Sequence, residues 1–335
     1  PPLPPWALPP WWANTVRLGT EMSESFAQGL RRAAGKTLRG ASVRIALKGD
    51  RYAAATALGL AVRASPEVES LQAERFRIPI KQLRPTSTAT ELDFSKKRLA
   101  DTDLIIIAAL FGAEGALSQL QRLRLDQNQL TNSGVSALAT VIARGSLPKL
   151  ESLLLSRVPI PIRLLRPGSA AKELKLDGTG ITSEDMIIIS TLLDVDGVSI
   201  AGLNVDGLNT LAVKQLNGTD RVESLDLSDK RLGRASVVAI AFLLKGNVVS
   251  TSLALEGTDL EDEGVGAICE AVQSNKETRL ASLSLRNNTI GPSGIKSVAA
   301  MMAVNGSLTN LKLARNEIGA QGAKAIADAL LVNGS

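Results

Sequence analysis

The residues with chemical potential in this chain are few, and their spacing narrows what they can do. Gly35-Lys36-Thr37 has the look of a phosphate-binding loop. That loop needs a glycine five positions before Gly35, where Leu30 stands instead, and no apolar strand precedes it. It reads as a basic stretch near the amino-terminal end. Cys269 is the single cysteine, so no intrachain disulfide can form and a reducing compartment fits. It lies in a helical pattern where a small residue is wanted, and it reads as a buried small hydrophobe. A cysteine nucleophile needs a base, and the chain holds no histidine. The absence of histidine also removes the commonest metal ligand and the usual near-neutral pH switch. No catalytic residue, cofactor or metal is therefore expected, and the chain reads as a non-enzyme.

Stepping to the elements that would position any site, the spacing of leucines dominates. Leu120, Leu123, Leu125, Asn128 and Leu130 form L-x-x-L-x-L-x-x-N-x-L. The pattern recurs at Leu280, Leu283, Leu285, Asn288, Ile290 and at Leu308, Leu311, Leu313, Asn316, Ile318. Degenerate copies begin at Val68, Ala89, Leu150, Ala171, Ile200, Val222 and Ser250, with a weaker one near Ser42. Units of 28 to 31 residues alternate with short ones of 21 or 22. In each, L-x-L predicts a short strand with alternate side chains inward. In most long units an amphipathic helix follows, as at residues 294–302 and 322–330. The stretch 78–94, IPIKQLRPTSTATELDF, returns at 160–176 as IPIRLLRPGSAAKELKL and more distantly at 211–227. Three tandem blocks, beginning near 68, 150 and 200, explain this. Residues 156–170 and 206–221 should lack a long helix, because their units are about eight residues shorter, and proline at 159, 161 and 167 supports this for the first.

On these motifs the chain resembles the ribonuclease-inhibitor-like class of leucine-rich repeats. The resemblance implies an α/β solenoid of horseshoe form, with a concave parallel sheet, convex helices and some irregular short units. It also implies that Asn128, Asn288 and Asn316 bond to backbone groups of their loops. The ladder position departs from asparagine at Phe76, Lys97, Val158, Thr179, Leu208, Lys230 and Thr258. Asn217, Asn287, Asn305 and Asn333 lie in N-x-[ST] sequons and read as turn residues. Leu123, Leu125, Leu283, Leu285, Leu311 and Leu313 should be buried on successive parallel strands. The expected organisation is a Pro/Trp-rich extended and helical segment over 1–41, then about ten or eleven repeats over 42–335.

Charge and composition point to binding. Aromatic residues make up only 3%, which suits thin layers of stacked aliphatic side chains. Net charge is +5 with the signs interspersed, and no window is apolar enough to cross a membrane. The solvent-facing strand positions are the candidate partner surface, with Arg122, Arg124 and Arg157 as its basic group, joined by Lys175 and Asp226. No aromatics interleave with them, which argues against specific nucleic acid. The opening PPLPPWALPPWW is different in kind. Proline holds it extended, while Trp6, Trp11 and Trp12 offer apolar faces for a partner protein or peripheral membrane contact. The expected function is a non-enzymatic protein–protein interaction scaffold or structural subunit of a larger complex, inside the cell in the cytoplasm or an organelle. A regulatory GTPase-activator-like or ligand-sensing role is the alternative, on fold analogy. The last unit reads as an interior one, so further repeats or another subunit are expected beyond it.

Overall fold

In the computed structural model, the residues described are 15–19, 41–46, 51–63, 68–112, 115, 117–207 and 210–333. The chain divides into two compact units, residues 1–163 and 164–335.

In the first unit, β1 (Thr15–Gly19), β2 (Ala41–Ala46) and β3 (Val68–Gln72) run parallel, and α1 (Arg51–Arg63) lies between the last two in sequence. The short strand β4 (Arg77–Ile78) turns back antiparallel to β3, pairing Leu71 with Ile78. One 3-10 turn, Ile80–Leu83, follows in place of a helix. A second sheet then starts. β5 (Glu91–Asp93), β6 (Arg122–Arg124) and β7 (Ser152–Leu154) are parallel, and β8 (Pro159–Ile160) again turns back, pairing Ile160 with Leu153. Helices α2 (Asp101–Phe111) and α3 (Asn132–Ala143) join α1 in a continuous stack. Where α1 meets α2, Gly59 is required: a Cβ there would come within 2.5 Å of the Ala109 Cβ.

The second unit repeats this plan. β9 (Glu173–Lys175) and β10 (Gly202–Asn204) are parallel, separated in sequence by α4 (Ser183–Leu193), and β11 (Leu211–Ala212) returns antiparallel to β10. A single helical turn, α5 (Val213–Leu216), completes the short unit. Then come β12 (Ser224–Asp226), α6 (Arg234–Leu244), β13 (Ser252–Ala254), α7 (Glu261–Ser274), β14 (Ser282–Ser284), α8 (Pro292–Met302), β15 (Asn310–Lys312) and α9 (Gly319–Asn333). The four strands are parallel, with Leu225, Leu253, Leu283 and Leu311 in register. Helix α4 packs directly on α6, past the short unit, and α6 to α9 stack in order.

The short units thus lack a long helix, as their length predicts and, at 156–170, their prolines too. They also do something the repeat pattern does not announce. Each of the three return strands takes the sheet edge where the next parallel strand would pair, so three of the four sheets end at a short unit; within the first unit α1 still stacks on α2, and within the second α4 on α6.

The strand leucines form the core. Leu123, Leu125, Leu283 and Leu285 are buried as expected. Leu311 and Leu313 are only half-buried, which corrects the expectation for the last unit. Among the described residues β15 pairs only with β14, on one of its two sides. Leu330, Leu331 and Val332 at the end of α9 are exposed.

Two asparagine ladders bind unit to unit. Asn128 donates to the carbonyls of Phe94 and Leu125, and its oxygen accepts from the amides of Lys97 and Leu99 at 3.0 and 3.1 Å. Asn288 and Asn316 repeat the arrangement one unit and two units on from Thr258. The second ladder occurs after the helices. Asn247 donates to Gln215 and Leu216, and Asn275 to Leu244 and Asn247, each reaching back one unit. Asn305 holds the amides of Ser307 and Leu308. These residues are buried, and Asn305 closes the turn after its own helix, as its reading as a turn residue expects. Its signal was the recurrence of asparagine 28 or 30 residues apart.

Candidate interaction surface

A strand of three residues with its middle side chain inward leaves two side chains facing solvent. Parallel register then lines these up. In the first unit Glu91, Arg122 and Ser152 form one row, and Asp93, Arg124 and Leu154 the next.

The rows neutralise themselves. The Arg122 guanidinium donates to Glu91 Oε2 through Nη2 at 2.8 Å and Nε at 3.2 Å. That contact raises the arginine further above its ordinary value. Arg124 lies 3.6 Å from Asp93 Oδ2 and 3.4 Å from Asp126 Oδ1, and Asp126 is buried. The Asp93 carboxyl is held below its usual value, first by its bonds from Ser95 and then by Arg124 and Lys97. Exposed pairs of this kind add little stability, on the order of 0–1 kcal/mol. Their effect is to hold the side chains in ordered ranks.

Arg157 is exposed in the bend between β7 and β8. The structure therefore ties Arg122 and Arg124 to carboxylates and leaves Arg157 apart from them in the loop. Lys175 lies on β9, 3.6 Å from Glu173. Asp226 lies on β12, where bonds from Ser228 lower its pKa most. Around it the second unit presents small polar groups: Ser224, Ser252, Ser282 and Asn310 in one row, and Asp226, Ala254, Ser284 and Lys312 in the other. Trp6, Trp11, Trp12 and Gly35-Lys36-Thr37 lie outside the described residues.

The sequence reading passed over the loops that follow the strands. Lys96, Lys97 and Arg98 are all exposed there, as are Arg75 and Arg77 one unit earlier. A signal was present, since Lys97 occupies a ladder position that asparagine holds elsewhere.

Burial raises the pKa of Asp103, Asp194 and Cys269 and lowers that of Arg166, and two of these shifts are large. Cys269 is buried, and desolvation pushes its thiol up to about 12. Asp103, in the first turn of α2, is pushed up to about 6 by burial, against a bond from the Ala100 amide that lowers it. Both groups belong to the packing of their helices. Among the described residues, no group of three or more His, Cys, Asp or Glu could hold a metal, and no helix is long and apolar enough to cross a membrane.

Comparison with known proteins agrees with the repeat geometry. The Leucine Rich repeat family matches residues 117–139, 251–269, 279–299 and 304–327. The chain is 26% identical over 224 residues to mouse NACHT, LRR and PYD domains-containing protein 12, covering 67% of this chain and 20% of that protein. It is 27% identical over 238 residues to pig ribonuclease inhibitor, covering 68% of this chain and 52% of the inhibitor. The chain thus spans a fifth and about half of the length of these two relatives. A crystal structure of a TLR13–ssRNA13 complex aligns over 90% of this chain and 36% of its own, at 15% identity and a TM-score of 0.21.

Proposed function

The chain is a leucine-rich-repeat protein of the ribonuclease-inhibitor-like class, and from that premise we propose that it is a non-enzymatic scaffold or structural subunit that holds other proteins. Leucine-rich repeats form protein-interaction domains, and a solenoid exposes much ordered surface for little core. The observation that carries the reading is the ranked strand face. Glu91, Asp93, Arg122 and Arg124 are locked to one another across adjacent strands, and a partner meets them already ordered. Preordered side chains lose less entropy on association.

In this reading the contact residues are Arg122, Arg124 and Arg157 in the first unit and Lys175 and Asp226 in the second. The segment holding Trp6, Trp11 and Trp12 serves as an arm that docks on the partner or on a membrane surface. Over 1–41 that arm precedes the repeats of 42–335. The test is capture by the purified chain from its native source, with cross-linking and mass spectrometry. Partners should cross-link at the strand face, and Arg122→Glu with Arg124→Glu should weaken their capture. Reproducible substrate turnover by the purified chain, lost on one point substitution, would overturn the non-enzymatic reading.

A further inference from the structure

The loops that leave the strands of the first unit carry an unused set of charges. Arg75, Arg77, Lys96, Lys97, Arg98 and Arg157 are all exposed. None of them joins an ion pair among the described residues. Four carboxylates of these strands and loops are already engaged. Glu74 is paired with Arg51, Asp93 and Asp126 with Arg124, and the buried Asp101 accepts from the Thr131 amide at 2.8 Å. The cations therefore form a surplus, whereas the strand face beside them is balanced.

These loops are contiguous and rigid. Phe76 packs edge-to-face on Phe94 with ring centroids 5.8 Å apart, which sets Arg75 and Arg77 beside the 95–98 loop. The Lys96 amide donates to the Asp126 carbonyl at 3.0 Å, and Asn128 grips the amides of Lys97 and Leu99. Lys96 and Arg98 have φ of 57° and 59°, in the left-handed region that long side chains enter only at a cost. At the position of Lys96 the second unit has Gly178, Gly207, Asp229, Gly257, Asn287 and, last, Arg315. Most of these adopt the left-handed region more cheaply. The loops of the second unit are also rich in acid, at Asp177, Asp206, Asp229 and Asp259, with Arg231 paired to Asp259.

We propose that this cationic ridge, formed by the loops of the first unit, docks a short acidic segment of a partner protein. The proposal rests on the interaction role above and names the partner chemistry for one edge of it. Strands lie about 4.8 Å apart, so β5 to β7 gives a ridge about 10 Å wide at the 95–98 and 155–158 loops, the width of three or four extended residues. A nucleic acid fits less well. Phe76 and Phe94 are used on each other, so the ridge offers no aromatic platform for bases. The neighbouring strand face, its Glu91 and Asp93 paired with Arg122 and Arg124, adds no surplus cations to carry a continuous phosphate backbone past the ridge, and a short peptide needs none.

The test uses the full chain and fluorescence anisotropy with labelled octaglutamate, octalysine, single-stranded oligothymidylate and duplex DNA. Octaglutamate should bind, more weakly as salt rises, and octalysine should not. Lys96→Glu with Lys97→Glu and Arg98→Glu should weaken octaglutamate by about tenfold or more, and Arg157→Glu by less. Lys324→Glu, an equally exposed change on α9, should leave it unchanged. The milder Lys96→Gln, Lys97→Gln, Arg98→Gln variant, with its melt followed by circular dichroism, decides the matter if charge reversal disturbs folding. Absence of octaglutamate binding, an equal loss in the Lys324 variant, or tighter binding of either DNA would overturn the ridge. If partners captured from the native source are held equally by the triple variant, the ridge fails and the interaction role stands. If octaglutamate binds the ridge but no partner is captured, the ridge stands and the wider role fails.

Discussion

Two neighbouring repeats carry the same motif and have different fates. In the repeat at 280–307, Leu283, Leu285 and Ile290 are fully buried. In the repeat at 308–333, the matching Leu311, Leu313 and Ile318 are half-buried. Asn288 is fully buried and its counterpart Asn316 is not. Local structure is the same in both, a three-residue strand, a ladder asparagine and a helix. The difference lies in neighbours. The earlier repeat is covered on both sides, while the later one is covered by α8 and β14 on one side. A repeat's burial is therefore a property of the stack rather than of its own sequence.

The comparison can be broken most directly at the leucines. Leu283→Ala should cost about 3 kcal/mol by denaturant unfolding, because a filled interior site becomes a cavity. Leu311→Ala should cost about 1 kcal/mol, since its site is already part-solvated. Equal losses would show that the last strand is packed as tightly as the interior ones.

The ladder gives the next effect. Asn288→Ala strips partners from the Thr258 and Leu260 amides and the Leu255 carbonyl, all at a buried site. A loss of about 2 kcal/mol is expected, against about 1 kcal/mol for Asn316→Ala, where water can replace the lost partners. A larger loss at Asn316 would reverse the argument.

A charge sharpens the contrast between interior and edge. Asp103 is buried and its pKa is raised to about 6, so the folded state binds its proton more tightly than the unfolded chain. Its contribution to stability is full below about pH 4 and is lost as pH rises through about 6. Asp103→Asn should abolish that fall and stabilise the protein by about 1–2 kcal/mol at pH 8. A flat wild-type profile between pH 4 and 7 would count against the buried carboxyl.

The smallest effect on stability comes with a clear readout. Cys269 and Ala327 hold the same repeat position, yet Cys269 is buried and Ala327 is exposed. The native thiol should resist a thiol reagent in the folded protein, with its pKa near 12. Ala327→Cys should react readily and change the melting temperature little. Rapid labelling of native Cys269 would mean that α7 opens far more often than its packing implies.

Much of this fold could be read from residue spacing. L-x-L at Leu123 and Leu125 specified a strand with inward leucines, and Gly322 to Leu330 specified a helix, because period 2 and period 3.6 are local properties of the backbone. The prolines at 159, 161 and 167 excluded a long helix by removing amides. The candidate surface was less legible. Arg122 and Arg124 were visible as cations, but their pairing with Glu91 and Asp93 depends on residues 31 positions away in sequence.

The sequence by itself determined the elements, their order and which side chains face inward, since each follows from spacing within one unit. Only the tertiary structure decided that a return strand ends three of the four sheets at a short unit, that asparagines after the helices form a second ladder, and that Leu283 is sealed while Leu311 is not. It also decided that Arg124 is neutralised while Lys96, Lys97 and Arg98 join no ion pair among the described residues. The reason is physical. Burial and ion pairing are set by contacts between units, and residues about 30 apart in the chain meet only once the units have stacked.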